Sequence, residues 1–142
     1  MPRQSQPSRT PPPPTHVDSR ALIETRPEHL LIVRGSPGPN VAWEFPGGRN
    51  RPEESPEAAL RRVCLAQLGV DLDISIGQPP FDYEYADGLV RFRYYMCQIS
   101  HGDAQPVGCA EVRAVHVRQL RDYIFEDAAA KVVEWLLAAP RD

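Results

Sequence analysis

The sequence has no run of 18 apolar residues, so no segment reads as a membrane-spanning helix. Its opening residues, Met1-Pro2-Arg3-Gln4-Ser5-Gln6-Pro7, hold no hydrophobic stretch of the kind a secretory signal requires. A cytoplasmic protein without membrane association is expected. Cysteine is scarce: Cys64, Cys97 and Cys109 form an odd set with no C-x-x-C pair. Each stands beside apolar neighbours, which favours reduced, mostly buried thiols over a nucleophile or a metal site. The four histidines (His16, His29, His101, His116) are scattered and form no metal cluster. Clustered positive charge is also lacking. The net charge is −3, and residues 1–20 contribute three arginines (Arg3, Arg9, Arg20) against Asp18 alone. The rest therefore holds 13 basic against 18 acidic groups, a charge of −5 that disfavours duplex nucleic acid, whose phosphates reward Lys and Arg.

What is present fits one ordinary domain: 142 residues, 42% of them hydrophobic, enough for a sizeable core. Residues 1–18 read as a disordered proline-rich tail, because Pro2, Pro7 and the run Pro11 to Pro14 among polar residues offer almost nothing to bury. A docking peptide for an aromatic-grooved partner is the alternative reading of that tail. From residue 19 to residue 142 the pattern is that of a folded domain. Ala21-Leu22-Ile23 and His29 to Arg34 read as strands, broken by the loop Gly35 to Asn40. Residues 55–69 read as a helix: Ser55 at the N-cap, Pro56 at the first position, Glu57 in the first turn and Gly69 at the stop. Its core stripe is Leu60, Cys64 and Leu68. Phe81 to Ala86 and Leu89 to Ile99 flank Asp87-Gly88 as a hairpin, with Val90, Phe92, Tyr94 and Met96 on the better core face. A strand at Val112 to Val117 precedes a helix from about Ala128 to Ala138, with Val132, Val133, Trp135, Leu136 and Leu137 as buried candidates. This order predicts an α/β or α+β domain, a mixed sheet sandwiched by helices.

Between the second strand and the first helix runs Trp43-Glu44-Phe45-Pro46-Gly47-Gly48, followed by Arg49 to Pro56 and then Leu60 to Val70. Together they resemble the Nudix box, the loop-helix-loop pattern G-x5-E-x7-R-E-U-x-E-E-x-G-U in which U is a bulky apolar residue. Gly48, Glu54, Arg62, Gly69 and Val70 fall on the pattern without a gap, and Cys64 takes its first apolar place. The strand Leu30 to Arg34, the aromatic hairpin and the end from Glu111 to Leu136 extend the likeness over roughly residues 19–138. They are most similar to the branch that hydrolyses nucleoside triphosphates, oxidised-guanine triphosphates included. The resemblance implies a Nudix-like fold with its loop-helix-loop at 48–70, and structural roles for Gly47, Gly48, Glu54, Arg62 and Gly69. In the family, the glutamate matching Glu54 braces the arginine matching Arg62.

The family's chemistry belongs to the glutamates of R-E-U-x-E-E, whose spacing puts three carboxylates on one helix face around Mg²⁺ or Mn²⁺. Here those positions are Val63, Ala66 and Gln67, and none offers a carboxylate oxygen. Glu57 lies six residues before Val63, about 9 Å along the axis, too far to replace them. Glu53, Glu54, Glu57 and Asp103 are the fallback metal ligands. Where the resembled branch reads a purine with asparagine, the alignment places Ala129. The leading reading is a domain that keeps the fold and a nucleotide-sized cleft, binding a nucleotide or nucleoside-diphosphate ligand or another partner without a cofactor. Arg34, Phe45 and Arg62 are its cleft-side candidates, with core the stronger role for Phe45. The alternative is an atypical hydrolase using Mg²⁺ or Mn²⁺ on the fallback carboxylates. A third reading makes the hairpin aromatics Phe81, Tyr83 and Tyr85 a docking surface, although such residues more often form cross-strand pairs.

Overall fold

A computed structural model describes Pro14 and residues 16–139. Seven strands, two α-helices and a short 3-10 helix follow in the order β1 (His16–Arg26), β2 (His29–Arg34), β3 (Gly47–Arg49), α1 (Pro56–Leu68), β4 (Asp71–Gly77), β5 (Phe81–Tyr85), β6 (Gly88–His101), β7 (Glu111–His116), the 3-10 helix (Val117–Asp122) and α2 (Asp127–Ala138). The main strand order is β4-β6-β1-β2-β7, with β3 beside β1 and β5 beside β6. The sheet is mixed: β1 runs parallel to β6, and every other pairing is antiparallel. No helix among the described residues is long and apolar enough to cross a membrane.

Alternation along the central strands sorts the core into two layers. Leu22, Leu30, Ile32, Phe92 and Tyr94 point to the side that α2 covers with Val132 and Val133. Ala21, Ile23, Leu31, Val33 and Cys97 point to the side that α1 covers with Leu60, Cys64 and Leu68. Both faces are thus buried along β2 and the middle of β1 and β6, which is why Leu30 to Val33 and Ala21 to Ile23 run apolar without interruption. The second face of β6 departs from the expectation of one core face there, since Tyr95 and Cys97 are as buried as Phe92 and Tyr94. Leu60 and Leu68 are fully buried, each worth about 1.5–3 kcal/mol relative to exposure.

Helix α1 begins and ends as its caps dictate. Ser55 Oγ accepts from Ala58 N at 3.1 Å, and Gly69 stops the helix at φ 73° while its N–H reaches Leu65 O. Two more of the C-terminal carbonyls are taken up by the segment after β6: Gln105 N donates to Leu68 O, and both Val107 N and Gly108 N donate to Gln67 O.

Three expectations are corrected. The sheet starts at His16, so Val17 and Asp18 belong to β1 rather than to the tail, because backbone pairing with β3 and β6 captures polar residues as readily as apolar ones. Residues 1–13 and residue 15 lie outside the described part, and so does the reading of them as a disordered or docking tail. The hairpin turn is Ala86-Asp87, with Tyr85 paired to Gly88, so the positive φ of 141° falls on Gly88 alone. Trp135 is 53% exposed, standing edge-on to Phe81 at the margin of the α2 layer rather than beneath it. The hairpin aromatics Phe81, Tyr83 and Tyr85 pack partly buried against that same layer, with Phe81 stacked on Phe92 across the strand pair.

Strand β3 exists because of a close backbone approach. Gly47 adopts φ 134°, and a Cβ there would lie 2.1 Å from Ser19 O and 2.8 Å from Arg20 Cα. Gly47→Ala should therefore cost roughly 2 kcal/mol or more. A urea titration followed by circular dichroism reads this as a lower midpoint.

Candidate active site

The loop joining β3 to α1 is built around Glu54. Arg62 donates to both of its carboxylate oxygens, Nε to Oε2 and Nη2 to Oε1, each at 2.9 Å. Arg51 N donates to Oε1 as well, at 2.9 Å, and Arg62 Nη2 also reaches Arg49 O. Asn50 ties the other end, accepting from Ser19 Oγ at 2.6 Å while its N–H pairs with Val17 O. A carboxylate with three donors already on it is a brace for the loop, not a free metal ligand.

One helix turn on, the three positions that the resemblance assigns to metal ligands carry other chemistry. Val63 packs its methyls against Gly48, close to where a Cβ would sit, and Ala66 is exposed. Gln67 closes a two-point bracket on Gly47, its Oε1 accepting from Gly47 N at 3.0 Å and its Nε2 donating to Gly47 O at 3.3 Å. That arrangement needs an amide, because a carboxylate could accept from the N–H but would have no proton for the carbonyl. Among the described residues no group of three or more His, Cys, Asp or Glu side chains could hold a metal ion. The fallback carboxylates do not converge. Glu54 is engaged, Glu53 is exposed in a left-handed turn at φ 65°, and Glu57 is exposed on the first turn of α1. Asp103 lies in a separate groove with Glu24 and Arg26. These residues do not fit a divalent cation of the kind the family uses.

On the other face of the sheet, beside α2, lies a cleft of about 400 Å³, within the size range of small-molecule sites. Phe45, Tyr85, Phe92 and Tyr94 give it aromatic walls, and Ala129 on α2 leaves room for a ligand. At its floor Arg20 is clasped by Asp18, with Nε to Oδ1 at 2.5 Å and Nη2 to Oδ2 at 3.2 Å. Its Nη1 donates to Glu44 Oε1 and to Phe45 O. Burial opposes the Arg20 charge, but the paired carboxylates of Asp18 and Glu44 outweigh it and hold the guanidinium firmly protonated. Burial likewise keeps the Tyr94 hydroxyl protonated far above its ordinary range. The Tyr85 hydroxyl is raised by burial and by Asp127 and Asp18, while Ala128 N donates to it.

Of the expected cleft residues, Phe45 lines this cavity but is wholly buried, stacked on Phe125, so it belongs to core and wall alike. Arg34 is elsewhere: it pairs with Glu111, donates to Gly38 O and lies over the Trp43 ring. Arg62 is committed to Glu54. The polar floor of Asp18, Arg20 and Glu44 was not anticipated. Its trace in the sequence is the period-2 series His16, Asp18, Arg20, Leu22, one face of a strand that passes from polar to apolar.

The Arg62 hydrogen bonds, with the Arg51 N–H second, hold Glu54 down to about 2 from an ordinary 4.5. A carboxyl depressed in the folded state stabilises it fully above the unfolded value and ceases to as pH falls through the folded one. Stability should thus decline as pH drops from about 4.5 to about 2, and Glu54→Gln should remove part of that dependence. Urea midpoints across this range, for both proteins, check it.

Residues 14–136 match the NUDIX domain family. Solved structures share the fold: the E. coli ORF135 protein has a TM-score of 0.73 at 21% identity, over 89% of this chain and 94% of that one. A MutT protein from work on Aliivibrio salmonicida and Vibrio cholerae gives 0.71 at 20% identity, over 89% and 98%. A MutT NUDIX hydrolase from Burkholderia pseudomallei gives 0.69 at 20% identity, over 84% and 95%. Because the family match spans nearly all of the described residues, including the braced loop and helix at 48–70, the chain belongs to the Nudix family.

Proposed function

We propose that this chain is a Nudix-fold binding module that does not carry out efficient metal-dependent hydrolysis of nucleoside-diphosphate linkages. The observation that carries the reading is the bracket of Gln67 on Gly47, in which a neutral amide joins two backbone groups at a position where the family places a metal-binding carboxylate. An amide proton here faces the carbonyl oxygen that a cation would otherwise be free to approach. With Val63 and Ala66 beside it, the helix face presents no negative charge to an incoming ion. Losing positioned acid-base groups alone costs about 10²–10⁴ in rate, and the cation's several kcal/mol are lost with them.

The ligand site of the module is the cleft walled by Phe45, Tyr85, Phe92 and Tyr94. Within the family we place the chain nearest the nucleoside-triphosphate branch, on the likeness of the Leu30 to Arg34 strand, the aromatic hairpin and the end from Glu111 to Leu136. Ala129 gives the cleft wall no side-chain amide with which to read a purine edge. The alternative, a hydrolase using Glu53, Glu54, Glu57 or Asp103, is weakened by the dispersal of these groups and by the three donors already on Glu54.

Hydrolysis of nucleoside triphosphates, nucleotide sugars and dinucleoside polyphosphates, followed as nucleotide product, should stay well below about 1 s⁻¹ with Mg²⁺ or Mn²⁺. Mn²⁺ should leave the melting temperature of the parent unchanged. The triple substitution Val63→Glu, Ala66→Glu and Gln67→Glu should lower that temperature, through charge repulsion and loss of the Gly47 bracket, and Mn²⁺ should restore it by binding the folded state alone. Turnover at or above about 1 s⁻¹ by the parent, or a parent melt that shifts with Mn²⁺, would refute the reading.

A further inference from the structure

We infer that the cleft beside α2 selects a small organic cation with a flat apolar body, such as an amidinium, a guanidinium or an alkylated ring amine, over an anionic nucleotide. This rests on the reading of the cleft as the ligand site of the module. Its charge is lopsided: Asp18, Glu44, Asp87, Glu126 and Asp127 line it against the single guanidinium of Arg20. That guanidinium is spent, since Asp18 takes Nε and Nη2 while Glu44 and Phe45 O take Nη1. It has no free pair of N–H groups for the two-point grip that a phosphate rewards. The positive end of α2 points into this region, but it amounts to about half a charge, less than the carboxylate excess.

A second feature points to a ligand independently of charge. Tyr94 is 4% exposed and lines the cavity, and its hydroxyl engages no hydrogen bond with a described residue. The charged and polar groups that act on that hydroxyl, Arg20, Asp18, Glu44 and Tyr85, line the same cavity. The Tyr94 oxygen opens on the cavity with its lone pairs uncommitted to the protein, and a ligand N–H donor in the cleft can bond to it. The faces of Tyr85 and Phe92 attract a cation through their ring quadrupoles. The walls thus accept the flat body, the Tyr94 oxygen and the acidic rim take the N–H groups, and a phosphate finds neither cation nor free donor fork.

Three probes of nearly the same shape that differ in charge and in N–H donors test this on the full chain: benzamidine (cation), benzamide (neutral) and benzoate (anion), titrated at low salt and followed by ¹H–¹⁵N correlation spectra. Benzamidine should bind at least about tenfold more tightly than benzamide, benzoate should not bind, and the shifted amides should include Tyr85, Tyr94 and Ala129. Asp87→Asn with Glu126→Gln, both exposed, should narrow the preference. Tyr94→Phe should weaken benzamidine by about threefold to tenfold, the range of one net hydrogen bond, with the parent's spectrum otherwise kept. If benzamide or benzoate equals or exceeds benzamidine at these same amides, selection for a cation is overturned and the cleft remains a ligand site. If no probe shifts them, the cleft reading falls with it.

Discussion

Gly47 is held from two sides, and the rest of the site is arranged around that grip. On one side its backbone lies so close to Ser19 and Arg20 of β1 that no side chain fits between them. On the other, the Gln67 amide takes both its N–H and its C=O. The glycine therefore locks the entrance of the box loop to the central strand and to the last turn of α1 together. From there the chain runs through Asn50, pinned by Ser19, to Glu54, pinned by Arg62. The Glu54–Arg62 pair is the brace that the family pattern implies, whereas the Gln67 bracket on Gly47 is particular to this chain's side chains. A family scaffold is thus kept in shape by ordinary neutral and ion-pair hydrogen bonds.

The sequence revealed the helices far better than it revealed the strands made of backbone alone. Helix α1 was readable to its ends because its signals are local: the Ser55 cap, Pro56, a four-residue apolar spacing and Gly69. Strand β2 was as clear, being a short apolar run between breaks. Strand β3 is Gly-Gly-Arg and has no side-chain pattern to read, since its cause is a contact with residues almost thirty positions earlier. Strand β4 was legible but not expected: Leu72, Ile74 and Ile76 alternate with Asp71, Asp73 and Ser75 at the period of a half-buried strand, though only Leu72 is fully buried. The start of β1 was hidden by its polar residues. Asp18 is buried on account of Arg20, and that pairing has no signature in composition.

The two halves of the site differed in the same way. The loop-helix portion is contiguous, so the substitutions at Val63, Ala66 and Gln67 could be seen at once, though the bracket that Gln67 makes could not. The cleft draws on β1, the segment before β3, the β5–β6 hairpin and the start of α2, which meet only after the sheet has formed. Arg34, an expected member, is diverted by Glu111, its direct partner in the β2–β7 register. Asp127, at the α2 side of the cleft, takes a left-handed conformation at φ 54°, a mildly strained turn of backbone where the helix meets the opening.

The three thiols are unequal in a way that matters for handling the molecule. Burial pushes Cys64 and Cys97 up to about 12, so almost none of either is thiolate at neutral pH, and neither is open to solvent. Cys109 is only partly covered, and its Sγ rests on the Gln67 and Glu111 carbonyls beside the segment that seals the end of α1. Maleimide chemistry on the native fold is thereby directed to one address. A dye placed there sits against the carbonyl of the very residue whose side chain grips Gly47, and its emission would report any loosening of that clasp.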